Sequence, residues 1–201
     1  MTPQPPALPA AKAAFDHPPT ADGHRRLVVR RRIWLIAVLS VGAGSVYLCA
    51  TQPLSEMIGF ILLNVLFFPI ALGVTFLALL RTRRVASVLK AYPWQAYPCE
   101  HPRRSLESPK VIVIRFSEEH RPVLRLTPFS AHLAQKQNPQ PDLIWFAGDP
   151  RYGGVVSPVG GHYPVRAVPE SMGDAVPPGS PEGNALAERA DLVKDGRVRT
   201  T

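Results

Sequence analysis

Four stretches of this chain bring together residue types able to catalyse a reaction or hold a ligand. GDPRYGGVV, residues 148–156, sets an acid and an arginine among glycines, as phosphate-binding loops do. A phosphate cradle also needs backbone amides converging at a helix N-terminus, usually with the lysine of GxxxxGK, and neither follows here. Asp149-Pro150 suits the first positions of a type I turn, and Gly153-Gly154 supplies positive backbone angles, so the stretch is expected to join two strands. Ser157, His162 and Asp149 have the types of a nucleophile, a base and an orienting acid. Ser157, however, lies between Val156 and Pro158 and not in the GxSxG elbow that presents a hydroxyl. Cys99-Glu100-His101 offers metal ligands without a second pair at matching spacing. Glu118-Glu119-His120 falls in a charged turn between two apolar runs, where carboxylates are simply solvated. No catalytic, metal-binding or cofactor-binding residue is assigned, no cofactor is expected, and enzymatic activity is not expected.

The elements that would position these residues begin with two apolar runs. Residues 33–50 carry no charge over about 18 positions, which as a helix reaches roughly 27 Å, just enough for a bilayer core. Residues 57–80 are longer, about 24 positions and roughly 36 Å, and cross with tilt to spare. Because lipid cannot satisfy backbone amides, both must be helical, and the short TQPLSE link makes them an antiparallel hairpin. The net charge is +8, and about +7 of it comes from residues 1–90, where ten bases face three acids. Arg30, Arg31 and Arg32 precede the first span, and Arg81, Arg83, Arg84 and Lys90 follow the second. Such clusters stay cytoplasmic, so both termini are expected inside the plasma membrane, with these seven residues against its anionic inner leaflet. A cleaved signal peptide ending near Leu48-Cys49-Ala50 would leave the second basic cluster unexplained.

Small residues four apart, Ser40 with Gly44 and Ala71 with Thr75, are expected to pack helices closely. Asn64 is the strongly polar residue deep in the second span; it suits an interhelical hydrogen bond, a homo-oligomer contact between hairpins, or a conducting path. Pro69 is expected to kink the helix nearby. Beyond the spans, Val85, Val88, Leu89 and Tyr92 form an apolar stripe, expected either on the membrane surface or as a continued helix in water. Trp94, Tyr92 and Tyr97 suit an interfacial belt or a first strand.

The fold class expected is a two-span helical hairpin followed by a small β-rich α+β cytoplasmic domain. Residues 110–116 and 123–126 read as a hairpin, residues 142–148 as its central strand, and residues 155–156 and 163–168 as weaker strands that Pro158 and Pro164 confine to edges or bulges. A brief helix is expected after Thr127-Pro128. Four or five strands, plus residues 92–98, would make a compact sheet or partly open barrel. The resulting domains are a disordered Pro/Ala-rich tail 1–29, the hairpin and basic helix 30–92, the β domain 93–169, and a flexible tail 170–201. Within the last, Leu186, Ala190 and Val193 have the spacing of a short amphipathic helix.

Two spans, RTRRVASVLKAYPWQAYPC just beyond them, and WFAGDPRYGGVV in a small terminal domain resemble a family of conserved two-span membrane proteins of high-GC actinobacteria. The resemblance covers residues 30–169 and implies topology, not an activity or a site residue. A near-neutral domain excludes a nucleic-acid partner. The expectation is a non-enzymatic membrane protein whose β domain binds a protein partner or the membrane surface. The alternatives are a subunit of an oligomeric channel or transporter, and a membrane-tethered enzyme using His162, Asp149 or Cys99.

Overall fold

The computed structural model describes residues 11–51, 61, 63–101, 111–118, 120–127, 133, 140–170 and 180–193. It divides into two compact units, Arg25–Arg83 and the pair of segments Met1–His24 and Arg84–Thr201.

The first unit is a helical hairpin. Helix α1 (Pro18–Thr51) opens on two prolines, which a first turn tolerates because its amides have no intrahelical acceptor. A π turn (Leu63–Phe67) runs into helix α2 (Phe68–Ala91). Pro69 lies just beyond it, so the carbonyl four residues earlier, that of Val65, which a proline amide cannot satisfy, falls within the wider π turn. Both helices are long and apolar enough to cross a membrane. The hairpin is antiparallel, since Gly42 meets Phe68 while Ser45 meets Asn64. Residues 52–60 and 62, including most of the expected link, lie outside the described residues.

The second unit is built on a closed barrel in the order β1-β2-β3-β6-β5-β4, with every pair antiparallel. Its strands are β1 (Gln95–Glu100), β2 (Val111–Ile114), β3 (Val123–Thr127), β4 (Leu143–Asp149), β5 (Gly153–Ser157) and β6 (Val165–Pro169). The β2–β3 hairpin and the strong β4 match the sequence expectation. Closure goes further than the expected partly open sheet and leaves no edge strand, so Pro158 and Pro164 simply lie outside β5 and β6. The helix expected after Thr127 falls outside the described residues except for Leu133, which is fully buried.

Period-two alternation fills the barrel from inside with Ile112, Ile114, Leu124, Leu126, Ile144, Phe146, Val156, Val165 and Ala167. Strand β4 is apolar on its other face too. Trp145, Ala147 and, from β5, Val155 point outward into a second core with Val85, Val88, Leu89, Tyr92 and Trp94. Burial on both faces explains why residues 143–147 read as one continuous apolar run.

That outer core corrects several sequence expectations. The stripe of Val85, Val88 and Leu89 is buried against protein, not laid on a membrane surface. Trp94 and Tyr92 are 4% and 9% exposed, so they belong to this core and not to an interfacial belt. Within the tail 1–29 expected to be disordered, Ala14–Asp16 form a 3-10 turn and α1 starts at Pro18, while residues 1–10 lie outside the described residues. The Ala14 amide donates to the Tyr92 carbonyl at 2.8 Å, and the Trp94 indole N–H donates to Thr20 Oγ1 at 3.0 Å. Gly161, at φ +74°, admits Thr20 so closely that a Cβ there would lie 2.4 Å from the hydroxyl. In the expected flexible tail, helix α3 (Pro181–Arg189) is capped by Ser180, whose Oγ accepts from the Gly183 amide at 3.1 Å. Ala187, Ala190 and Leu192 are buried, and Leu186 and Val193 pack on the same core.

Replacing Thr20 by valine keeps the volume and orphans a buried indole N–H. It should cost about 1–3 kcal/mol, read from the thermal midpoint by tryptophan emission, whereas Thr20→Ser should stay near wild type.

Candidate functional site

The β4–β5 turn is the most concentrated polar site of the barrel unit. Asp149 pairs in register with Gly153, leaving Pro150, Arg151 and Tyr152 as a three-residue loop. The Tyr152 amide closes the turn on the Asp149 carbonyl at 3.1 Å, and Gly153 takes φ +87°. The loop is thus a β-turn followed by a glycine of positive φ, and the second positive angle belongs to Gly148 and not to Gly154.

Arg151 folds back on Asp149. Its Nε donates to Oδ1 at 2.9 Å, its Nη2 to Oδ2 at 2.6 Å, and its backbone amide to Oδ1 at 2.9 Å. The side chains are only 12% and 9% exposed, so this is a buried bidentate pair. The hydrogen bond to Asp149 raises the Arg151 pKa further, and the guanidinium carbon stands 5.1 Å from the Tyr152 ring centre. Burial, followed by the negative charge of Asp149, pushes the Tyr92 phenol up to about 12. Both charges of the loop are thus engaged with each other, and an incoming phosphate would have to displace a carboxylate.

The nucleophilic trio is not assembled. Ser157 pairs with Trp145 at the opposite end of β5 from Gly153, the partner of Asp149, a separation of about 13 Å along the strand. Ser157 Oγ instead accepts from the Tyr163 amide at 3.2 Å. The three members of Cys99-Glu100-His101 also turn to separate partners. The Cys99 thiol donates to the Pro141 carbonyl at 3.2 Å, Glu100 takes Arg115 at 2.8 Å, and His101 Nε2 lies 3.1 Å from the Leu133 carbonyl. Burial, reinforced by Asp142 and Glu100, pushes the thiol of Cys99 up to about 12, which keeps it protonated. Cys49 and Cys99 are both free. Among the described residues no group of three His, Cys, Asp or Glu side chains could hold a metal. Glu118 lies 3.6 Å from Arg121, 88% exposed, and Glu119 lies outside the described residues.

Sequence reasoning missed His17. It sits 3.3 Å from Thr20 Oγ1 and meets the Trp145 ring edge-on at 5.6 Å. Burial, then the nearby His162, lowers its pKa from the usual 6.5. Its only sequence signal was the His-Pro-Pro-Thr start of a helix.

In the hairpin, Ser45 Oγ lies within hydrogen-bonding distance of Asn64 Oδ1 at 2.8 Å and of the Gly42 carbonyl at 2.9 Å, which share its one hydroxyl hydrogen. Asn64 therefore bonds within its own chain, which is the first of the three roles considered for it. The helices approach through Gly42 and Ser45; Ser40 and Gly44 are exposed, and Gly44 has no neighbour within 4 Å of a Cβ position. Ala71 does face α1, while Thr75 Oγ1 donates to the Ala71 carbonyl at 2.7 Å. Among the basic residues expected on the leaflet, two have protein partners. Arg84 lies 3.6 Å from Asp191, and the Lys90 ammonium stands 5.5 Å from the Phe15 ring centre. Arg30, Arg32, Arg81 and Arg83 are exposed and Arg31 is half-buried.

Removing one partner of the buried pair leaves the other uncompensated, so Asp149→Asn and Arg151→Ala should each cost roughly 3 kcal/mol in urea unfolding, and the double variant clearly less than their sum. The lowered His17 pKa means the unfolded chain binds the extra proton. Stability is then complete above pH 6.5 and declines as pH falls from there through the folded-state pKa. His17→Gln should flatten that part of the profile of thermal midpoint against pH.

No family model matches this chain, and neither a curated protein nor a solved structure matches it.

Proposed function

We propose that this chain is an integral plasma-membrane protein whose hairpin crosses the bilayer with both termini in the cytoplasm, holding the six-stranded barrel at the inner surface as a non-enzymatic module for a protein partner. One observation carries the membrane part. Every large apolar side chain exposed among the described residues, apart from Tyr163, lies between Val29 and Leu77. Val65 is 72% exposed, Val41 65% and Val74 63%, a distribution that water disfavours and hydrocarbon accepts. Arginines at one end of both helices support the inside orientation.

The interaction role rests on the barrel. Its interior is filled by side chains, and Asp149, Ser157 and Cys99 each bond within the fold, which favours its exposed surface as the part available for recognition. A family of two-span actinobacterial membrane proteins is the kinship we propose, on the residues named above.

Thiol labelling tests the topology. In a Cys49→Ser, Cys99→Ala background, Thr51→Cys should react with a membrane-impermeant maleimide on intact cells, and Glu170→Cys only after permeabilisation. The reverse pattern would overturn the proposed compartment of the barrel.

A further inference from the structure

The hairpin carries two clefts that share one residue. An apolar cleft of about 200 Å³ opens between the helices, lined by Val38, Val41, Gly42, Phe68 and Ala71, with Trp34 at one end and the Ser45–Asn64 pair at the other. A second, of about 350 Å³, lies along α1 between Trp34 and the side chains of Arg25, Arg26 and Arg30. All three arginines are exposed, and none pairs with a carboxylate among the described residues. From Arg30 to Gly42 is about 18 Å along the helix, close to the depth of one bilayer leaflet.

We infer that the hairpin holds one anionic phospholipid, its headgroup phosphate among Arg25, Arg26 and Arg30 and one acyl chain lying past Trp34 into the cleft over Gly42. The first cleft has several times the roughly 30 Å³ of a water molecule and an apolar wall, so in a bilayer hydrocarbon fills it. Charge complementarity selects the anionic headgroup, since three exposed guanidiniums with no carboxylate paired to them among the described residues sit where such a chain must emerge. This rests on the membrane reading of the hairpin.

Trp34 lines both clefts and serves as the reporter. The full chain is reconstituted into phosphatidylcholine vesicles containing, as the minor component, dibrominated phosphatidylglycerol or dibrominated phosphatidylcholine, with Trp34→Phe as the blank. The brominated anionic lipid should quench Trp34 at a lower mole fraction than the brominated neutral one. Arg25→Gln, Arg26→Gln and Arg30→Gln should weaken that preference roughly fivefold for each arginine removed. Ala71→Leu, which narrows the cleft, should reduce quenching by both lipids while the buried tryptophans of the barrel unit keep their emission. Equal quenching by the two lipids would overturn this inference and leave the membrane reading intact. Quenching by neither would overturn both, and cross-linking of Trp34 across two copies with the lipids excluded would assign the cleft to a second hairpin instead.

Discussion

Burial of the outer wall of β4 and β5 is the constraint from which the rest of this structure follows. Trp145, Ala147 and Val155 point away from the barrel interior, and a barrel alone would leave them in water. They are covered by Ala14 before α1, by Val85, Val88 and Leu89 at the end of α2, and by Ala187, Ala190 and Leu192 of the C-terminal segment. Each buried aliphatic side chain is worth about 1.5–3 kcal/mol, so these contacts rival the stability of a small domain. The barrel and the residues flanking the hairpin are thus parts of one compact unit.

Helix α2 runs unbroken from apolar residues that face outward at Val74 and Leu77 to residues buried in protein at Val85 and Leu89. One helix thus changes its surroundings without changing its periodicity. Thr20 does the equivalent for α1 by accepting the Trp94 N–H, which gives a short polar segment a specific place in an apolar core. Ser87 Oγ adds a third tie by donating to the Ala190 carbonyl at 3.0 Å.

What could be read from residue order alone is what local physics dictates. Long uncharged runs, the β2–β3 hairpin and the doubly buried β4 announce themselves through composition and period. The Ser180-Pro181-Glu182 start of α3 was also there to be read, as an N-cap, a first-turn proline and an acid at the positive helix end, but its nine residues were outweighed by the surrounding glycines and prolines. Other features depend on contacts distant in sequence. Nothing near Ala14 or Thr20 reveals that Tyr92 and Trp94 wait for them. The helix faces in the hairpin depend on mutual rotation, which the spacing of Ser40 and Gly44 does not reveal and which brings Gly42 to Phe68 and Ser45 to Asn64. The chemical residues were legible by type only: their spacing along the chain hid that Asp149 and Ser157 lie at opposite ends of one strand pair.

Charge distribution then separates anchoring from recognition. Within the barrel unit the strongest ions are internally neutralised, Arg151 by Asp149 and Arg115 by Glu100, so little field projects from these groups. At the hairpin end, Arg25, Arg26 and Arg30 are exposed, form no ion pair among the described residues and project a positive field over about a Debye length. An anionic surface would be drawn to that end regardless of what the barrel binds. Under the proposed role, selectivity for a protein partner would come from the shape and hydrogen bonding of the barrel surface. Affinity and specificity in this reading reside in different parts of the chain, the first in the arginines beside the spans and the second in a nearly neutral barrel that the spans keep close to the membrane.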